Sequence, residues 1–274
     1  MAKKRVDEMS FLDHLEDLRW HLIRATLGVV IAATLAFIFK EFVFDVIIFG
    51  PTHMSFPTYE GLCKMSQILG IKDTTFCADK FPFIIQNRTV AGQFSAHIWT
   101  SIYAGFIVAF PYVLYQLWSF ISPGLMPNER KNSRGFLIIA SILFFLGVLF
   151  GYYIITPLSI NFLANYQISE QISNEFDVSS VIAIVRSSSL ASGFVFELPI
   201  IIYFLTKVGL VTPQFLRTYR KYALVIVLIL SAIITPPDVA SQVIVAIPIL
   251  ILYQASIYIS TLVVRKQKRK QKHV

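Results

Sequence analysis

The sequence predicts an all-α polytopic membrane protein of six transmembrane helices, both ends on the inner side, with a folded external cap after the first span. Three observations predict it. Hydrophobic residues make up 55% of the 274 and charged residues 15%, too few charges to cover a soluble protein of this size. Mean hydropathy is +0.66. The basic residues, which set a formal net charge of +8, lie in blocks between apolar runs and not on one amphipathic face. That is how membrane topology is written, and it argues against a nucleic-acid partner.

Residues 1–20 are polar, and no cleavable leader pattern follows the first apolar run. Phe11, Leu12, Leu15, Leu18 and Leu22 recur at helical spacing, which predicts an amphipathic inner-surface helix over 1–20. The first span is expected from Leu22 to Phe39, with Arg24 reaching back to the headgroups. Residues 40–92 carry Pro51, Pro57 and Pro82, the two cysteines and only short apolar pieces, and are expected to form the extracytoplasmic cap. The second span, Phe94 to Ile121, contains Pro111, where a kink is expected. The third runs from Phe136 and is expected to stop at Pro157.

A second external region is expected over Asn161–Arg186, then a fourth span from Ser188 to Phe204. The fifth, Tyr222 to Thr235, is about 21 Å of helix against a hydrocarbon core of about 30 Å. Thr235-Pro-Pro-Asp238 forms a turn, the sixth span follows from Val239 to Val264, and a basic tail occupies 265–274. The whole, 1–274, is one six-span domain. With both termini inside, eighteen of the 24 Lys and Arg fall on the inner face although the other side has the longer loops, which sets the orientation by the positive-inside rule. The halves show no internal repeat, unlike many rocking transporters.

The stretch Phe120-Ile-Ser-Pro-Gly-Leu-Met-Pro-Asn-Glu-Arg-Lys131 cannot continue a helix and must turn. It places Glu129 on the inner face, where Glu16 and Asp17 also lie. Acids are exceptions on a face dominated by Lys and Arg. Together these carboxylates suit a guanidinium group, whose planar fork they accept bidentately; equally, each suits a neighbouring Arg19 or Arg130. Glu197, in Phe194-Val-Phe-Glu-Leu-Pro199, is an acid inside an apolar helix, costly enough that it must face the bundle interior or a water-filled cavity. A functional role competes there with a hydrogen bond to Gln242 or Thr100. Gln242 and Asp238 follow the same logic at the start of the last span, with Asp238 also suited to capping it. Cys63 and Cys77, the two cysteines, fall in the external region, where a disulfide is expected. His14, His21, His53, His97 and His273 form no cluster in the sequence. No metal-ligand spacing, nucleotide loop or nucleophile motif occurs, so no cofactor, metal site or enzyme chemistry is expected.

Four stretches, Ser10-Phe-Leu-Asp-His-Leu-Glu-Asp-Leu-Arg19, Phe120–Lys131, Phe194–Pro199 and Thr235-Pro-Pro-Asp-Val-Ala-Ser-Gln242, together resemble TatC, the polytopic subunit of the twin-arginine protein translocase. The resemblance runs in order along nearly the whole chain. It implies a cupped six-span bundle in a bacterial inner membrane, recognition of Arg-Arg signal peptides on folded cargo, and transport driven by the proton-motive force. It implies contacts to that motif from Glu129 and from Asp17, with Glu16 adjacent, and an aromatic role for Phe120. It assigns Glu197 to the concave face and Gln242 to a polar position in the last span. The implied partners are the single-span subunits TatA and TatB, further copies of the chain, and membrane lipids. A proton-coupled small-molecule transporter with Glu197 as proton carrier is the alternative, and a passive scaffold a third reading.

Overall fold

The computed structural model describes residues 11–68, 70, 77–78, 80–122, 133–169, 171–235 and 239–271. The chain divides into two compact units, Met1–Phe44 with Ala91–Ile142, and Asp45–Val90 with Leu143–Val274.

The first unit is built on two long helices, α1 (Phe11–Ile38) and α3 (Gly92–Ile121). They run antiparallel, since His97 near the start of α3 meets Phe37 near the end of α1 while Gln116 meets His21. Small residues allow the approach. A Cβ on Gly105 would stand 2.4 Å from the backbone nitrogen of Ala33, and one on Gly28 would stand 2.6 Å from the Tyr112 ring. His97 stacks on Phe37 with centroids 3.9 Å apart and donates from Nε2 to the Phe37 carbonyl at 3.1 Å. α3 continues through Pro111. Helix α4 (Ser133–Phe150) begins in this unit and ends in the second.

The second unit contains a π-helical stretch Phe42–Ile48 (from Asp45 onward), a short turn Gly50–Thr52, and α2 (Pro57–Ile68). Strand β1 (Phe83–Gln86) pairs in parallel with β2 (Asn174–Asp177), Phe83 opposite Asn174 and Gln86 opposite Asp177. Four-residue strands so far apart in sequence leave no periodicity to read, and they are the departure from the all-helical expectation. Arg88 clamps the pair: its guanidinium meets Glu175 at 3.0 Å and its backbone N–H donates to Asp177 Oδ2 at 3.2 Å. Tyr59 of α2 is fully buried, its hydroxyl within 2.9 Å of the Pro51 carbonyl and 3.0 Å of the Pro157 carbonyl; burial pushes that phenol far up from its ordinary value.

Two expected boundaries are corrected. The third apolar helix does not stop at Pro157. A π-helical turn, Gly151–Ile155, passes into α5 (Thr156–Asn165), placing Pro157 in a first turn, where its missing N–H does no harm. The Thr156 hydroxyl donates to the Gly151 carbonyl at 2.9 Å. The fourth helix begins ten residues before Ser188. α6 (Val178–Phe196) is capped by Asp177, whose side chain accepts from the Ser179 N–H at 2.9 Å, so the expected external region 161–186 shrinks to the stretch between α5 and α6. The serines of α6 are packed, not solvated: Ser188, Ser189 and Ser192 are buried, and a Cβ on Gly151 would lie 2.4 Å from the Ser188 carbonyl.

α7 (Leu198–Lys207) follows a break at Glu197, then α8 (Pro213–Thr218), α9 (Arg220–Ile234) and α10 (Val239–Gln271). The apolar core collects Ile155, Val227, Val245, Ala246 and Ile249, and a second cluster joins Ile202, Leu216 and Ile257. Among the described residues five stretches are long and apolar enough to cross a membrane: His14–Ile38, Gly92–Ile121, Gly135–Asn165, Val178–Lys207 and Ser241–Gln267. α9, the expected short span, has 15 residues, about 22 Å of helix.

Candidate functional site: a polar cluster between α1 and α3

Residues three, four and seven apart share a helix face, so His14, Asp17 and His21 of α1 project together. Gln116 and Phe120 do the same on α3. Because the helices are antiparallel, the two faces meet at one end of the pair. The His14 ring stacks on Phe120, centroids 4.5 Å apart and planes 21° from parallel; His21 lies 6.5 Å from the same ring. His21 Nδ1 is 2.8 Å from Gln116 Oε1, and its Nε2 is 3.8 Å from Asp17 Oδ1. Gln116 is 5% exposed. The Asp17 side chain remains 40% exposed.

Asp17 and Phe120, both named by the resemblance, thus flank the same pair of histidines. Glu16 is exposed and points off this face. Glu129 and Asp238 lie outside the described residues. Among the described residues no ion pair joins Glu16 or Asp17 to Arg19 or to any other Arg or Lys; the ion-pair partner of Asp17 is His21. The histidines do not cluster along the sequence, but folding gathers two of them around Phe120. The available signal was their heptad spacing, which returns a side chain to nearly the same helix face.

Glu197 sits where α6 ends and α7 begins. Pro199 cannot donate a backbone hydrogen bond, and the Glu197 carbonyl takes both Ile200 and Ile201 N–H at 3.0 Å. Its side chain is 7% exposed, and Oε1 has no hydrogen-bond partner among the described residues. The alternative of a hydrogen bond to Gln242 or Thr100 is not seen among the described residues: the Gln242 amide donates to the Leu228 carbonyl at 3.0 Å, and the Thr100 hydroxyl has no partner there. Cys63 and Cys77 are joined by a disulfide, tying the middle of α2 to the chain that leads into β1. No group of three metal-ligating side chains occurs among the described residues.

This arrangement offers a partly exposed carboxylate beside an aromatic face and a histidine, suited to holding a cationic, hydrogen-bond-donating group. The comparisons agree on a family. The description of Sec-independent protein translocase protein (TatC) matches residues 13–248. The chain is 43% identical to the Sec-independent protein translocase protein TatC of Blattabacterium sp. subsp. Periplaneta americana, over 97% of this chain and 100% of that one. It is 35% identical to the TatC protein of Aquifex aeolicus, over 96% and 100%. It also resembles the crystal structure of the twin-arginine translocase receptor TatC in DDM, with a TM-score of 0.69 and 34% identity over 90% of this chain and 99% of that one. With a family match over most of its length and five membrane-crossing helices, this multi-pass membrane protein belongs to the TatC family of Sec-independent protein translocase proteins.

Proposed function

We propose that the chain is the signal-peptide receptor and core subunit of a twin-arginine translocation system, exporting folded proteins at the expense of the proton-motive force. The observation that carries this reading is the Asp17 carboxylate, partly exposed on the α1 face whose His14 stacks on Phe120, and unbridged to any Arg or Lys among the described residues. A guanidinium group satisfies two carboxylate acceptor sites at once, which an ammonium does not. Glu129 supplies the second acid in this reading, from the connection that follows α3, and Glu16 borders the site.

The topology proposed is six spans with both termini cytoplasmic, α9 being the short fifth, in a bacterial inner membrane. The concentration of Lys and Arg in residues 1–24, 121–135, 207–221 and 265–272 supports that orientation. Residues 40–92 then form the external cap, where a disulfide is at home. The partners proposed are Arg-Arg signal peptides, the single-span TatA and TatB, and further copies of the chain; Glu197, Gln242 and Asp238 are proposed to serve the partner side.

The test is photocrosslinking of an Arg-Arg signal peptide, and of its Lys-Lys variant, to the full chain in lipid nanodiscs. Labelling is expected at the α1–α3 end near Asp17 and Phe120, weaker with Lys-Lys and with Glu129→Ala. Equal labelling by both peptides would overturn the reading.

A further inference from the structure

We propose that His21 is a positioning residue for Asp17, and that through it the capture of a guanidinium group weakens as the ring gains a proton. The proposal rests on the receptor reading of this site. It starts from Gln116, whose side chain is held 5% exposed against α1. An amide oxygen only accepts, so with Gln116 Oε1 at 2.8 Å from His21 Nδ1 the neutral ring carries its proton on Nδ1. Nε2 is then the bare nitrogen, and it faces Asp17 Oδ1 at 3.8 Å. In this state the ring offers Asp17 no proton, and the carboxylate's acceptor sites remain open to an incoming donor.

Protonation changes one atom and reverses the arrangement. Nδ1 keeps its bond to Gln116, while Nε2 acquires an N–H and the ring a positive charge, aimed at Asp17. The chain then carries its own cation opposite the carboxylate, in competition with the peptide's. Histidine is the side chain that makes this change between pH 5 and 8; a guanidinium group does not titrate there.

Among the described side chains the surroundings leave the contest to these two residues, with Glu129 of the receptor reading lying outside them. On α1 the other described charged or titratable side chains at this end are His14, Glu16, Arg19 and Arg24, all exposed, and His14 is engaged with Phe120; Asp13, one turn before Asp17, lies outside the described side chains. On α3, the helix packed against this face, Gly92–Ile121 holds no Asp, Glu, Lys or Arg. Its phenols at this end are Tyr112, packed against Gly28, and Tyr115, 52% exposed. His97 lies near the opposite end.

The experiment measures the affinity of a fluorescent Arg-Arg peptide for the full chain in zwitterionic nanodiscs from pH 8 to 5.5, with a Lys-Lys peptide alongside. The wild type is expected to lose roughly threefold in affinity toward acid, the scale of a partly exposed ion pair. His21→Gln keeps a polar group beside Gln116 but cannot titrate, and is expected to give a flat profile; His14→Gln is expected to retain the wild-type slope. By reciprocity the peptide is expected to change the pH response of the His21 ring, a readout from labelled-histidine NMR that needs no variant. A wild-type profile without slope, an unchanged slope in His21→Gln, a slope abolished by His14→Gln, or a ring midpoint indifferent to peptide would each overturn the proposal. Failure to distinguish Arg-Arg from Lys-Lys at any pH would instead overturn the receptor reading beneath it.

Discussion

The two units treat polar groups in opposite ways. In the second, most of the described side-chain hydrogen bonds run to backbone carbonyls: Ser256 donates to Leu252, Thr235 to Ser231 and Gln242 to Leu228. Ser159, Asn161 and Glu197 there each keep a buried polar atom without a partner among the described residues. In the first unit, His14, Asp17, His21, Gln116 and Phe120 engage one another across two helices, and the carboxylate among them stays partly in solvent. The contrast is sharpest between two acids. Glu197 is buried with an oxygen that has no partner among the described residues; Asp17 is partly exposed with a titratable neighbour. A buried carboxylate biases structure, whereas one with free acceptor sites at a surface is equipped to recognise.

The largest expected effect separates the units by stability. Opening the Cys63–Cys77 bond, which closes a loop of about 15 residues, should destabilise the second unit by about 3 kcal/mol. Thermal unfolding with and without reductant would read this, while peptide binding at the first unit should survive. Next are the two tight helix crossings. Gly105→Ala and Gly151→Ala each place a methyl group 2.4 Å from backbone and should cost about 2 kcal/mol. Only the Gly105 change should also reduce peptide affinity, because only that glycine sets the α1–α3 spacing.

How much of this was legible in the sequence follows from what sets each element. Apolar length is a one-dimensional property, so most spans and the shortness of α9 could be read directly. The start of α6 could not. Its serines and Arg186 look like a loop until they are set against Gly147 and Gly151, an apposition absent from any local pattern. Pro157 reads as a stop because a widened π turn ahead of it leaves no mark of its own. At the site, Asp17 and Phe120 were visible as residue types at motif positions. His21 and Gln116 were not, because 95 residues separate them and only the antiparallel register of α1 and α3 joins them.

Smaller effects sharpen the contrast further. Glu197→Gln should leave peptide affinity unchanged and stability no worse, since the carboxylate oxygen it replaces has no partner among the described residues to lose. The smallest effect is at Asp177, whose carboxyl is held below the usual carboxylate range by hydrogen bonds from the Ser179 side chain and backbone, then from the Arg88 backbone. A depressed folded-state value means stability present above about pH 3.9 and lost as pH falls through the lower one. The difference in melting temperature between wild type and Asp177→Asn should therefore shrink in acid.

The most direct test of the central claim is the equilibrium affinity of Arg-Arg and Lys-Lys signal peptides for the full chain at pH 8, in wild type and in Asp17→Asn. An Arg-Arg preference of about tenfold, mostly lost in Asp17→Asn, is the result expected. Equal affinities in the wild type, or a preference that Asp17→Asn leaves intact, would contradict it.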